Sequence, residues 1–298
     1  MPGTEIQWFP GHMARTRRQI KESLALVDAV IEILDARIPY SSRNPEITKL
    51  LSGKPTLTVL NKSGLADTSK TDAWVSYFKN RGQTVPLPID CVTGAGISKI
   101  TPTITEMLSE KIKRREAKGM TGRHIRVMIV GIPNVGKSTL INRLAGERRA
   151  KAENRPGVTQ RQQWIATKTG LDLLDTPGVL WHKFDERRVG ENLAFTGAIK
   201  DAILDTETLA AALLGRLRET YPELLRERYK LEQIPSRDEL SDFELMNLIG
   251  KKRGFLVSGG EVSSERTANM LLDEFRAAKI GRITLETPVS TARGTLCD

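Results

Sequence analysis

Cysteine and histidine are scarce in this sequence. Two cysteines, Cys91 and Cys297, and three histidines, His12, His124 and His182, occur in 298 residues, and none stand at spacings that ligate a metal. A disulfide framework is excluded, and a reducing compartment is expected. Aromatic residues make up only 5% of the chain, which argues against a surface that holds single strands chiefly by base stacking. No apolar run reaches the length of a membrane span. The opening Met1-Pro2-Gly3-Thr4-Glu5 has no apolar signal core, and Leu296-Cys297-Asp298 makes no prenylation box. A cytoplasmic protein without a membrane partner is expected.

What is present fits a globular chain of about two domains. Hydrophobic residues are 39%, charged residues 28%, and glycines number 24, an ordinary globular composition. Lys and Arg total 46 against 36 Asp and Glu, a net charge of +10, so the field favours a polyanionic partner, nucleic acid or ribonucleoprotein first. A basic cytosolic protein that binds no RNA is the other reading.

Apolar runs of strand length recur at 29–34, 56–60, 84–89 and 125–130, each followed by a helical pattern. They predict a buried, mostly parallel, doubly wound α/β sheet. Two further strands, 163–167 and 171–174, joined by Lys168-Thr169-Gly170, predict a hairpin at the sheet edge. From about Asp205 the strands stop. Leu209, Leu213, Leu217 and Leu224, then Leu245 and Leu248, then Met270, Leu271 and Phe275 recur at helical spacing and predict a small all-α domain. The expected division is 1–204, with a basic segment over 1–22, then 205–286, then a frayed tail over 287–298.

The most informative string is Gly131-Ile132-Pro133-Asn134-Val135-Gly136-Lys137-Ser138-Thr139, between the strand ending at Val130 and a helix. Its glycines let backbone N–H groups turn onto phosphate oxygens and the helix N-terminus adds its positive end. Lys137 meets the outer phosphates, and the Ser138 hydroxyl ligates Mg2+. Downstream, Leu173-Leu174-Asp175-Thr176-Pro177-Gly178 brings an aspartate able to hold the magnesium shell and a Gly178 amide able to reach the terminal phosphate. Thr159, in Arg155-Pro156-Gly157-Val158-Thr159, is a candidate second hydroxyl on magnesium, or else an ordinary polar loop residue. Val179 and Leu180 follow Gly178, and neither can orient a water, so intrinsic hydrolysis should be slow.

These residues resemble the translation-factor-type GTPases, a circularly permuted P-loop GTPase domain being implied because the base-reading string comes first. Asn61-Lys62-Ser63-Gly64 and the base-closing loop around Cys91, Val92 and Thr93 precede the phosphate loop. Together with Trp8-Phe9-Pro10-Gly11-His12-Met13, Leu34-Asp35-Ala36-Arg37-Ile38-Pro39 and Asn192-Leu193-Ala194-Phe195-Thr196-Gly197-Ala198-Ile199, they narrow the resemblance to the ribosome biogenesis GTPase A (YlqF) family over nearly the full length.

That resemblance implies a GTPase that binds GTP and GDP and the large ribosomal subunit precursor, both rRNA and ribosomal proteins, as a monomer. It implies that His12 supplies the missing catalytic group and that Asn134 helps bind K+. His12 reads otherwise as a surface histidine near an RNA-contacting arm. The family's base motif ends in aspartate, and position 64 is glycine. A carboxylate accepts two hydrogen bonds from the guanine edge, so Gly64→Asp is expected to tighten guanine nucleotides. Asp67 reads as a substitute carboxylate or as a turn-stabilising one. Basic clusters at Arg15, Arg17, Arg18 and Lys21, at Lys111, Lys113, Arg114, Arg115 and Lys118, and at Arg148, Arg149, Lys151 and Arg155 suggest phosphate contact, or solvated helix faces. The rival function is a nucleotide-gated RNA-binding scaffold with vestigial hydrolysis. An ATP-using phosphoryl transferase lacks an acceptor-site base.

Overall fold

The computed structural model describes residues 11–288 except 52, 83, 147–162, 182–185, 202–203 and 258, with the backbone alone for 11–17. Among the described residues six strands form one sheet. They are β1 (Ala29–Asp35), β2 (Thr56–Asn61), β3 (Val85–Pro88), β4 (Ile125–Val130), β5 (Gln163–Ala166) and β6 (Leu171–Asp175), in the order β3-β2-β1-β4-β6-β5. All neighbours are parallel except β5 and β6, the expected edge hairpin.

Position in the sheet follows from composition. β1 and β2 are buried at every residue, as predominantly apolar runs are when both faces of a sheet are covered. β3 is Val-Pro-Leu-Pro, and prolines, which donate nothing to a ladder, are confined to an edge. Successive residues feed opposite faces. Val30, Met128 and Val130 pack with Ile20 and Leu24 of α1 (Gly11–Leu24) and Ile47 of α2 (Pro45–Leu50). Ile31, Ile33 and Ile129 face the other way, toward Ile104 of α4 (Ile100–Met107) and Leu140 of α6 (Lys137–Ala145). The remaining crossover helices are α3 (Thr68–Asn80) and α5 (Ser109–Glu116).

After α7 (Arg187–Phe195) the described chain is helical: α8 (Thr206–Thr220), α9 (Pro222–Tyr229), α10 (Asp242–Lys252) and α11 (Ser264–Arg276). Side-chain caps start α8, α10 and α11, while α9 begins on Pro222. Asp205 accepts from the Thr208 amide, Ser263 from the Arg266 amide, and Ser241 with Glu244 forms a reciprocal capping box. Leu209, Leu213, Leu217, Leu245, Leu271 and Phe275 are buried as their spacing predicts.

Among the described residues the core of the helical region is continuous with that of the α/β part. One cluster of buried side chains runs from Ile33 and Leu173 through Trp181, Leu193 and Phe195 to Leu213, Leu245 and Leu271. The segment 280–286, read from sequence as the end of the helical domain, returns to the α/β part. Ile283 donates its amide to the Leu65 carbonyl and Leu285 to that of Arg37, while Ile280, Ile283 and Leu285 are buried. This strap has no helical or strand periodicity, so pattern alone reads it as linker.

Candidate functional site

The C-terminal ends of the five parallel strands lie along one edge of the sheet, the edge where open α/β folds hold ligands. β1 delivers Asp35, β2 delivers Asn61 and Lys62, β3 leads to Asp90 and Cys91, β4 opens the phosphate loop, and β6 ends in Asp175. Residues predicted from three separate stretches of sequence are thus brought together.

The phosphate loop is built by close backbone approach. Gly136, at φ +106°, sits where a Cβ would lie 2.3 Å from Asn61 Nδ2, and a Cβ on Gly131 would lie 2.6 Å from the Ile33 carbonyl. Asn134 takes φ +56°, Val135 is buried, and Ser138 and Thr139 are half-buried in the first turn of α6. Lys137 is 7% exposed, and its Nζ donates to the carbonyls of Gly131 (3.2 Å) and Ile132 (2.9 Å). Burial pushes its pKa down to about 8, against the opposing charge of Asp175. Gly178 backs onto this loop, where a Cβ would lie 2.8 Å from Lys137 Nζ and 2.9 Å from the Pro133 nitrogen.

Asn61 ties the loops together. Its Nδ2 donates to the Val135 carbonyl at 2.7 Å and its Oδ1 accepts from the Cys91 amide at 3.0 Å. Lys62, at φ +62°, extends along the phosphate loop, where Nζ donates to the Asn134 carbonyl at 2.9 Å. The Ser63 amide donates to the Ile89 carbonyl. Arg143 of α6 donates to the carbonyls of Cys91 and Val92, steadying the loop whose tip, Val92 and Thr93, is exposed. Burial pushes the Cys91 thiol up to about 12, so this cysteine is inert and contributes backbone.

Sequence reasoning assigned no role to Asp35 and Arg37. The Asp35 carboxylate lies between two cations, with Arg37 bidentate to it at 2.9 and 2.7 Å and Lys62 Nζ at 2.9 Å. Burial opposes ionisation, but Arg37 and Lys62 together hold Asp35 well below the usual carboxylate range. The available signal was an Asp-x-Arg directly after an apolar strand.

The strap grips the same loops. Arg282 donates to the carbonyls of Ala66 and Ser63, both at 3.0 Å, and the Thr284 hydroxyl accepts from the Asp67 amide at 3.1 Å. Asp67 is the N-cap of α3, accepting from the Lys70 amide and the Tyr221 hydroxyl. It stabilises the turn, the second of the two sequence readings.

Val179 and Leu180 are buried in separate clusters, so neither side chain faces a reacting water. Thr159 and the basic residues Arg148, Arg149, Lys151 and Arg155 lie outside the described residues, as does the His12 side chain, whose backbone forms the first turn of α1. Part of the α5 basic cluster is structural. Lys111 and Arg115 both pair with the buried Asp28 carboxylate, leaving Arg114 and Lys118 exposed and Lys113 paired only with exposed Glu110.

The oxygen donors Ser138 and Asp175 suit magnesium, which takes few protein ligands and completes its shell with phosphate and water. Among the described residues no group of three or more His, Cys, Asp or Glu side chains gathers as a softer metal would need, and no helix is long and apolar enough to cross a membrane.

Comparison with known proteins agrees with this geometry. Residues 126–232 match a family described as 50S ribosome-binding GTPase. The chain is 48% identical over 283 residues to ribosome biogenesis GTPase A of Bacillus cereus, covering 95% of this chain and 94% of that one. It is 50% identical over 284 residues to that of Bacillus licheniformis, covering 95% and 98%. A GNP-bound YlqF structure from T. maritima superposes with a TM-score of 0.62 at 28% identity, over 92% of this chain and 98% of that one. The shared phosphate loop, the sheet and the near-complete coverage lead to one assignment: the chain belongs to the ribosome biogenesis GTPase A family of GTP hydrolases.

Proposed function

We propose that the protein binds the immature large ribosomal subunit in its GTP state, hydrolyses GTP late in subunit assembly, and then leaves. One connection carries the reading. Asn134 of the phosphate loop donates its side-chain amide to the Gly197 carbonyl at 2.8 Å, and that segment is held by Arg276 of α11, which donates to the carbonyls of Ala194 and Phe195 and pairs with Asp201. A change at the phosphates therefore has a short, hydrogen-bonded route to the helical region. With the strap on the base-reading loop, both ends of the nucleotide site report to the same helices.

In the reaction, water attacks the terminal phosphorus, the bond to the bridging oxygen breaks, and GDP and phosphate result. Backbone amides of 134–139 and Lys137 neutralise charge on the phosphates, and the Gly178 amide reaches the terminal one. Asn61, Lys62 and Ser63 with Cys91, Val92 and Thr93 frame the base, an arrangement reached here by a circularly permuted order. Ser138, Asp175 and Thr159 would hold Mg2+, which supplies charge neutralisation across the outer phosphates. Asn134 would offer its side-chain oxygen to K+. Buried Val179 and Leu180 cannot position the attacking water, and the family resemblance implies that His12 does.

The ribosomal surface is assigned to the basic segment 1–22 and to the helices of 205–286, with 287–298 as a tail. Lys251 and Lys252 are exposed beside the exposed apolar Leu256 and Val257, a mixed surface suited to rRNA phosphate and ribosomal protein together. A cytoplasmic monomer is the proposed form. Co-sedimentation with immature large subunits tests this: retention with a non-hydrolysable GTP analogue and release with GDP are expected, and equal retention in both states would overturn it.

A further inference from the structure

We propose that Asp90, twenty-six positions beyond Gly64, is the carboxylate that reads the guanine edge in this protein. The proposal rests on the guanine-nucleotide reading above and identifies the residue that makes it selective. A Cβ on Gly64 would lie 2.4 Å from Asp90 Oδ2 and 3.4 Å from its Cγ, so the Asp90 carboxylate fills the place where a side chain at position 64 would begin. The Gly64 amide donates to Oδ2 at 3.2 Å.

The carboxylate is held in that place by its own loop. Asp90 Oδ1 accepts from the amides of Val92 (2.8 Å) and Thr93 (3.0 Å). Its backbone is closed by the Asp90 amide on the Ala95 carbonyl and the Gly94 amide on the Asp90 carbonyl. This Asx-type turn fixes the side chain and leaves Oδ2, with one long bond, as the oxygen with acceptor capacity to spare.

The neighbouring carboxylates are committed elsewhere. Asp35 is saturated by Arg37 and Lys62, and Asp67 caps α3 and accepts from Tyr221. Asp90 sits in the loop whose next amide, Cys91, is bonded to Asn61, which in turn is bonded to the phosphate loop. A base reaching out from the phosphates meets this loop. Guanine presents N1–H and an N2 amino group to such a carboxylate, whereas adenine presents an acceptor at N1.

This also changes the expectation for Gly64→Asp. Alone, it would press a second carboxylate against Asp90 and should weaken guanine nucleotides.

Asp90→Asn tests the proposal at small structural cost, because Asn Oδ1 can keep the two turn bonds and only the long bond from the Gly64 amide to Oδ2 is given up. Its Nδ2 then replaces Oδ2, turning an acceptor into a donor. Xanthine carries an oxygen where guanine has its amino group, so the variant should lose about tenfold or more in GDP affinity and gain as much for XDP. Labelled GDP, XDP and ADP would be titrated against the parent, Asp90→Asn, and the double variant Gly64→Asp/Asp90→Ser. The double variant should restore GDP selectivity by returning a carboxylate at position 64 after the space is cleared. Undiminished GDP binding by Asp90→Asn, with XDP still rejected, would overturn the proposal and leave the GTPase reading intact. A parent that binds GDP and ADP alike would overturn it too, since nothing then reads the guanine edge. A parent that binds none of the three would overturn both.

Discussion

The Lys62 ammonium lies 2.9 Å from an Asp35 carboxylate oxygen, at the point where β1 and β2 end side by side. Arg37, 2% exposed, completes the pair from the other side and donates to the Arg276 carbonyl of α11. One carboxylate therefore holds Lys62, the lysine assigned to the base, and is linked through Arg37 to the helical region. Asp35→Ala leaves two cations without their counter-charge and should cost about 3–5 kcal/mol. Thermal or urea unfolding checks this. Asp35→Asn, which keeps hydrogen-bond acceptance, should cost less.

Gly178→Ala should weaken GTP and GDP by about tenfold or more. The added methyl carbon would lie 2.8 Å from Lys137 Nζ, and displacing one charge-assisted contact is worth roughly 1.5–3 kcal/mol. Calorimetric titration measures it; unchanged affinity would mean that Lys137 moves aside freely.

Asp28 gives a prediction in pH. Burial opposes its ionisation, but Arg115, Lys111 and the Arg126 amide outweigh that and hold its carboxyl well below the usual range. A carboxylate depressed in the folded state binds its proton more weakly there than in the unfolded chain. The stability it contributes is present above the unfolded pKa of about 4 and is lost as pH falls below it. Asp28→Asn should flatten the loss of stability between about pH 5 and pH 2 relative to the parent, as followed by urea midpoints across that range.

Association with large subunits should weaken steeply with salt, because each neutralised phosphate releases counterions. The continuous core makes deletion from Asp205 onward a poor test, since it would strip Leu209, Leu213 and Leu217 from buried positions. Charge reversal at exposed Lys251 and Lys252 should lower subunit association while sparing GTP affinity. Salt-independent association would contradict a phosphate-contacting surface.

Legibility in the sequence followed the physics of each element. The runs 29–34 and 125–130 read as buried strands because segments dominated by apolar residues, many of them β-branched, suit a two-sided sheet, and Gly131 to Ser138 was legible because a backbone cradle needs glycines at fixed spacing. The strap 280–286 carries no period, and its value lies in single contacts such as Arg282 with Ser63. Asp90 was hidden for a related reason. Its meeting with Gly64 joins the ends of β2 and β3, and a deficit at one position filled from twenty-six residues away leaves no local mark. The Asp35, Arg37 and Lys62 cluster likewise joins two strand ends that only the sheet brings together.

GTP turnover by the purified protein, alone and with large ribosomal subunits, tests the nucleotide switch most directly. Slow turnover alone and a rise of about 10²-fold or more with subunits are expected, the rise being lost in His12→Ala while GTP affinity holds. Turnover that stays at the basal rate when subunits are bound would contradict release driven by hydrolysis, and would favour a scaffold gated by nucleotide binding alone.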